Sequence, residues 1–216
     1  MFTTEQQKER EENISTLKKV RNELNNETDR GCCLVATSYL DFELERMLKK
    51  KLVGSNKHLK SLFEFSGPLG TFSSKINLSY SLGFISKTSL TDLHTIRKIR
   101  NDFGHSYESL SFETESVRQR INLLKSNFYT PGEIRPRGVF TNTVYGIMAE
   151  IHVAGLLDNK FQEKEDGFIT DPESKKKIKE TAKKLTEELS NLIMQIKEED
   201  EKEKESKSKK TATNNE

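Results

Sequence analysis

Apolar residues recur at helical spacing along this chain, and the clearest case lies between Leu90 and Tyr107. At 100° per residue, four apolar side chains of this stretch fall within one stripe about 100° wide. They are Leu93, Ile96, Ile99 and Phe103. The stripe predicts a helix that packs against a core. Its flank carries two guanidinium groups, two imidazoles and one amide, from Arg97, Arg100, His94, His105 and Asn101.

The same spacing predicts further helices before this stretch. Residues 4–26 predict an amphipathic helix with a thin apolar edge, and residues 29–53 predict a long core helix. A short helix is expected around residues 58–65, and another over residues 72–82. Residues 66–70 predict a turn between these two helices, because the glycines of this segment permit positive φ and its proline cannot extend a helix.

Start signals place the remaining elements. The central helix is expected to begin at Thr88 or Ser89, with Asp92 in an imperfect capping box. Ser111 is expected to cap a later helix that extends as far as Phe128, and helical spacing resumes over residues 139–157.

The last predicted helix begins at Asp171 and Pro172, an N-cap followed by proline at the first helical position. Six apolar residues share one of its faces: Ile178, Ala182, Leu185, Leu189, Leu192 and Ile196. Apolar residues stop after Lys197. Residues 198–216 are therefore predicted to form a disordered, charged tail, with a weak helix that runs into it as the alternative.

The predicted layout is an N-terminal amphipathic helix over residues 1–28, a helical domain over residues 29–197 and the tail over residues 198–216. No alternating strand pattern stands out. The expected fold class is all-α, a multi-helix bundle.

Composition narrows the function classes. Charged and hydrophobic residues each make up 32% of the chain, and the net charge is only +2. Nucleic-acid binding would therefore need a local basic patch. The first thirty residues are dense in charge, and no apolar run approaches about 18 residues, so we expect a cytoplasmic protein without membrane contact. Cys32 and Cys33 are adjacent and too few for a zinc site, so we expect core residues and no cofactor.

The candidate chemistry lies in Arg100, Asn101, His105 and Tyr107. This group combines a permanent cation, a side chain that titrates near neutrality and a phenol. Such a set could bind a phosphodiester and move protons on it. It could equally be structural, with basic side chains at the rim of a core, Asn101 bonded to His105, or Arg100 paired with a carboxylate of the long core helix. Asp92 and Asp102 lie on different helix faces, so metal catalysis is not expected.

Three features between residues 62 and 124 occur together and in order. They are the Gly67-Pro68-Leu69-Gly70 turn, the segment Lys75-x4-Tyr80-x-Leu82-Gly83-x-Ile85 and the Arg100-x4-His105 ending. In this combination the chain resembles the mannitol operon repressor family. The resemblance implies an all-helical bacterial protein classed as a transcriptional regulator. Because no helix-turn-helix is recognisable, binding another protein is the more natural route to regulation.

Arg100-x4-His105-x-Tyr107 is also similar to the motif of HEPN-domain ribonucleases, helical proteins that commonly dimerise with their motifs facing one another. This likeness implies metal-independent endoribonuclease activity on RNA. His105 would act as general base or acid on the ribose 2′-hydroxyl, and Arg100 would neutralise the phosphate. Asn101 would orient these groups, and Tyr107 would support them.

The sequence therefore leaves three functions open: a regulator that binds a protein partner, a ribonuclease that acts as a toxin or phage-defence effector, and a general helical scaffold. Whether the chain is an enzyme stays open at this point. Arg97 and His94 are candidate binding residues. We expect a homodimer in each case, because a charged flank beside an apolar stripe suits a two-fold interface.

Overall fold

The structure is a computed structural model that describes residues 3–107, 109–129, 132–164 and 171–212, with side chains as far as Lys197 in the last range. The chain divides into two compact units, one ending at Glu163 and one beginning at Lys164. The described residues form eight helices and no strand, which confirms the all-α fold class.

Seven helices belong to the first unit and one to the second. Those of the first unit are α1 (Thr4–Asn26), α2 (Asp29–Lys51), α3 (Asn56–Phe63), α4 (Phe72–Ser81), α5 (Lys87–His105), α6 (Glu115–Ile121) and α7 (Pro136–Leu156). The second unit contains α8 (Pro172–Ala212).

Helix α2 is the centre of the first unit, because α1, α4, α5 and α7 all pack against it. A helix surrounded in this way buries apolar residues on several faces. Cys32 and Cys33 are among its fully buried residues, as predicted. Burial raises the pKa of the Cys32 thiol to about 11. Both cysteines therefore act as small apolar core residues.

The apolar stripe of α5 is fully buried, which confirms the helix predicted there. Ile96, Ile99 and Phe103 have no exposed surface, and the Phe103 ring meets the Phe112 ring edge-on with centroids 5.4 Å apart. Burying these side chains stabilises the fold by about 1.5–3 kcal/mol each. Arg97, Arg100 and Asn101 are thereby held on a rigid element.

Two predicted details of helix capping are wrong. Helix α5 begins after Ser86, whose hydroxyl accepts the Ser89 amide, and not at Thr88 or Ser89. Asp92 takes no part in a capping box. It is buried. Its carboxylate accepts the backbone amides of Lys125 (2.9 Å) and Ser126 (2.6 Å), which lie beyond the end of α6.

Helix α6 is shorter than predicted. It begins after Thr114 and ends at Ile121. Ser111 does not cap it, since the Ser111 amide instead donates to Thr114 Oγ1 in the preceding turn. Phe128 lies beyond the helix with its side chain fully exposed.

Helix α8 begins at Pro172, as predicted, and the Asp171 carboxylate accepts the Ser174 amide at 2.9 Å. Its backbone continues to Ala212, through a segment that we expected to be disordered. The Lys and Glu residues of that segment are good helix formers, which accounts for the difference. The three-part domain layout stays a prediction. No described helix combines the length and apolar character needed to cross a membrane.

Candidate functional site

A cavity of about 370 Å³ opens on the surface of the first unit. It is lined from α2, from the loop before α4, from the first turn of α4 and from α5. The lining residues are Thr37, Ser38, Asp41, Phe65, Gly70, Thr71, Phe72, Ser73, Arg97, Arg100 and Asn101. We call it the arginine cavity.

The Gly67-Pro68-Leu69-Gly70 turn shapes one wall of the arginine cavity. The amide of Leu69 donates to the carbonyl of Leu62 at 2.8 Å, which folds the turn back onto the end of α3. A Cβ on Gly67 or Gly70 would clash with backbone carbonyls there. Close approach of the backbone therefore requires these glycines. Neither has the positive φ that glycine permits.

This turn leaves Phe65 almost entirely exposed, at 96% of its possible surface. After the turn, Thr71 caps α4 by accepting the Ser74 amide at 3.1 Å. The first turn of α4 then borders the cavity through Phe72 and Ser73. The cavity thus combines an exposed aromatic ring with the partially positive end of a helix.

Helix α5 supplies the charged wall. Arg97, Arg100 and Asn101 lie within about 100° of one another around the helix axis. Nε of Arg97 is buried and has no hydrogen-bond partner among the described residues. Arg100 is exposed, and within the described part of the chain its Nη1 donates only to its neighbour, Asn101 Oδ1, at 3.3 Å.

Neither arginine forms an ion pair with a described carboxylate, because the carboxylates of α2 are already engaged. Lys75 Nζ lies 2.8 Å from Asp41 Oδ1 and 2.9 Å from Glu45 Oε2. Burial alone would lower the pKa of Lys75, but the hydrogen bonds to both carboxylates raise it above its ordinary value. Asp41 therefore lines the cavity as an acid that Lys75 already neutralises.

Glu43, another carboxylate of α2 that could pair with Arg100, also has partners already. Glu43 Oε2 lies 2.8 Å from Arg46 Nη2 and 3.1 Å from His152 Nε2. Burial raises the pKa of Glu43, but the hydrogen bond to His152 and the charge of Arg46 outweigh it and lower the pKa overall. The sequence-based alternative of an Arg100 ion pair with Asp41, Glu43 or Glu45 is thus absent from the described contacts.

The remaining predicted site residues do not line the arginine cavity. His94 Nε2 lies 3.0 Å from Asn77 Oδ1, and burial together with the charges of Arg97 and Lys98 lowers its pKa. His105 is the exposed last residue of α5. Tyr107 is fully exposed and borders a different depression.

An apolar groove adjoins the arginine cavity and was not predicted. It is lined by Leu34, Val35, Tyr39 and Phe42 together with Glu23, and Ser38 lines both depressions. Phe42 is 61% exposed, although it lies within the segment 29–53 that the sequence predicts to be a core helix. Leu34, Ser38 and Phe42 are four residues apart and share one face of α2, a pattern that could have identified the groove.

Among the side chains that the structure describes, no group of three His, Cys, Asp or Glu residues is placed to hold a metal ion. Two guanidinium groups and an amide can bind an oxyanion, and the surrounding aromatic rings can bind apolar groups.

Comparisons with known proteins find similarity to one family. Residues 37–131 match the model of the family described as Mannitol repressor, MtlR. A chain in the X-ray structure of the MtlR-HPr complex from Escherichia coli has a similar fold, with a TM-score of 0.54 and 17% sequence identity. The similarity covers 64% of the present chain and 99% of that chain. No curated protein matches.

The matched segment contains every residue that lines the arginine cavity. The family match confirms the resemblance to mannitol repressors over residues 37–131. The arginine cavity lies within this MtlR-like segment. Neither comparison supports the HEPN-like motif. Helices α1, α7 and α8 lie outside the matched segment.

Proposed function

We propose that this chain is a mannitol-repressor-like regulatory protein that acts by binding another protein at the arginine cavity and the adjoining apolar groove. One observation carries the proposal: Arg97 and Arg100, which have no carboxylate partner among the described residues, share a rim with the exposed ring of Phe65. Arginine and aromatic side chains are enriched in the energetic centres of protein interfaces.

The partner places an oxyanion, a carboxylate or a phosphoryl group, against the two arginines. A buried guanidinium nitrogen without an acceptor is costly, and Nε of Arg97 is in that state. An oxyanion would supply the missing acceptor, and the planar guanidinium could bind it through two parallel hydrogen bonds. Asp41 does not compete, since Lys75 already holds it.

The apolar part of the contact falls on Phe65 and on the groove that contains Phe42. Because Ser38 lines both depressions, one docked surface could cover them together. Burying an exposed aromatic ring contributes on the order of 1.5–3 kcal/mol. The arginines would then provide specificity and the aromatic rings much of the affinity.

A protein partner fits better than nucleic acid. The net charge of +2 provides little long-range attraction for a polyanion. The similar structure, moreover, is a complex of MtlR with HPr. We therefore take the HPr of the source organism as the first candidate partner.

The ribonuclease alternative has weaker support. Arg100 and His105 project about 140° apart around α5, and only Arg100 lines the cavity. One copy of the chain does not combine the two groups in a single described cavity. The alternative would require a second copy to supply the histidine.

Titration calorimetry of the full chain with HPr tests the proposal. We expect Arg97→Ala/Arg100→Ala to weaken binding at least tenfold, a change of about 1.4 kcal/mol or more. Lys98→Ala is the matched control, because Lys98 is an exposed cation of α5 that does not line the cavity. This control should bind as the wild type does.

A second pair of variants tests the aromatic contact. Phe65→Ala should weaken HPr binding, whereas Phe128→Ala should not, although both rings are almost fully exposed in the free chain. Equal affinities for all these variants would place the docking surface elsewhere. A folded chain that does not bind HPr would contradict the choice of partner.

A further inference from the structure

Helix α8 carries an apolar repeat that differs from those of the first unit. Six of its apolar residues are separated alternately by four and three positions: Ile178, Ala182, Leu185, Leu189, Leu192 and Ile196. These intervals average 3.6 residues, which equals the 3.6 residues per turn of a straight helix, so the six side chains lie on one face. The same six residues alternate between positions a and d of a seven-residue repeat, the pattern of a helix that packs against one partner helix.

The stripe is open to a partner. Its five large side chains are each between 48% and 59% exposed: Ile178, Leu185, Leu189, Leu192 and Ile196. From Ile178 to Ile196 the stripe extends about 27 Å along the helix. A continuous apolar surface of this length is typical of an interaction site.

The charges of α8 lie away from the stripe. In the heptad that places Leu189 at position a and Leu192 at position d, the outer positions b, c and f hold most of the charged residues. Lys177 pairs with Glu173 at 3.6 Å, and Lys183 pairs with Glu187 at 3.9 Å, both within the helix. These pairs solubilise the outer face and leave the apolar face for contact.

We propose that α8 pairs with the α8 of a second copy of the chain, in a parallel, in-register coiled coil. The stripe is self-complementary, since leucines occupy the two central d positions, Leu185 and Leu192, and no polar residue interrupts a or d between Ile178 and Ile196. Charged residues at e and g set the choice of partner in coiled coils, and over this stripe only Lys179 and Glu188 are charged at those positions, so the flanks do not specify a different helix.

The flanking positions also permit this arrangement. In a parallel pair, each g residue faces the e residue five positions further along the partner helix. Glu188 would face Ile193, and Thr181 would face Thr186. No like charges oppose each other over the length of the stripe, so nothing at the flanks disfavours the pairing.

This dimer would use a different surface from the one predicted from the sequence, which was the charged flank of α5. No residue of α8 lines the arginine cavity. A dimer formed through α8 would carry two copies of the proposed docking face, and a partner with two docking points would bind it with avidity.

Sedimentation equilibrium of the full chain over a range of concentrations tests the proposal. We expect the wild type to have twice the mass of one chain and Leu189→Asp to be monomeric, because a charge at an a position opposes its own copy. Ser190→Asp is the matched control, since it introduces the same residue on the outer face, and it should remain dimeric. A monomeric wild type, or a Leu189→Asp variant that dimerises as the wild type does, would overturn the proposal.

Single cysteine variants test the orientation. In a parallel, in-register pair the two residues at position 192 face each other, so Leu192→Cys should link the dimer covalently when oxidised glutathione is added. Met194→Cys lies on the outer face and should link far more slowly. The native cysteines are buried and should not react. Equal cross-linking of both variants, or none in a dimeric protein, would contradict the parallel register.

Discussion

Two sets of cations lie close together in the first unit, and their surroundings differ. Lys75 is buried, and both Asp41 and Glu45 lie within 3 Å of its ammonium group. Arg97 and Arg100 line the cavity beside Asp41 without an ion pair to any described carboxylate. The same kind of charge therefore has two roles. Lys75 contributes to stability, whereas the arginines are available for binding.

This difference follows from which helix carries each cation. Lys75 projects from α4 toward the acidic side of α2, so the carboxylates there reach it first. A buried cation needs such partners, because its desolvation is otherwise unfavourable. The arginines lie on the flank of α5, where Asp41 is the only acid that lines the cavity and Lys75 already binds it. Variants at the two sites should consequently affect different measurements.

The largest effect on stability is expected for Lys75→Met. This substitution keeps the apolar stem and removes the charge, leaving Asp41 without an ion-pair partner and Glu45 with Lys49 alone. We expect the free energy of unfolding to fall by about 1–3 kcal/mol, measured by urea denaturation. Lys57→Ala, at an exposed position of α3, should change it by less than about 0.5 kcal/mol.

A double variant sharpens this prediction. If the loss comes from the carboxylates left behind, Asp41→Asn should recover part of it in the Lys75→Met background. An additive result would show that Asp41 and Lys75 do not interact energetically. The proposed difference between Lys75 and the two arginines would then be wrong.

The next effect is a dependence on acid pH. Burial raises the pKa of Glu45, but hydrogen bonds from Lys49 and Lys75 outweigh it and lower the pKa below its ordinary value of 4.5. A carboxyl whose pKa is lowered in the folded state contributes stability above its unfolded pKa and loses that contribution as the pH falls through the folded pKa.

We therefore expect the urea midpoint of the wild type to fall as the pH drops below about 4.5. Lys75→Met should lose less stability over the same interval, because one of the groups that lowers the Glu45 pKa is absent. Parallel curves for the two proteins would show that Lys75 does not contribute to the acid dependence.

A smaller effect on stability is expected for Arg97→Ala/Arg100→Ala. The free energy of unfolding should change by no more than about 0.5 kcal/mol, because neither guanidinium forms an ion pair among the described residues. Differential scanning calorimetry measures this, with Lys98→Ala as the control. A loss near that of Lys75→Met would mean that the arginines are structural and would count against the proposed docking site.

The smallest effect, no change at all, is expected for RNA. Purified protein incubated with single-stranded RNA in EDTA should leave it intact, since His105 does not line the cavity that contains Arg100. Cleavage by the wild type that leaves 2′,3′-cyclic phosphate ends, and that His105→Ala abolishes, would establish the ribonuclease alternative instead. Arg100→Ala should then be inactive as well.

The sequence was informative wherever one helix determines the outcome. The stripe of α5 predicted both its burial and the flank on which Arg97, Arg100 and Asn101 lie, because helical geometry relates sequence spacing to direction. It was less informative where two elements meet. Phe42 looks like a core residue in the sequence, yet no neighbouring helix covers it.

The helical fold class, the resemblance to mannitol repressors and the arginine-bearing flank were therefore determined by the sequence alone. Only the tertiary structure decided that Asp41 and Glu45 pair with Lys75 rather than with Arg100, and that Phe65 lines the same cavity as both arginines. Ion pairs and cavities depend on distances between elements remote in the chain. Periodicity along one helix contains no information about such distances, so the candidate site became visible only when α2, α4 and α5 were packed together.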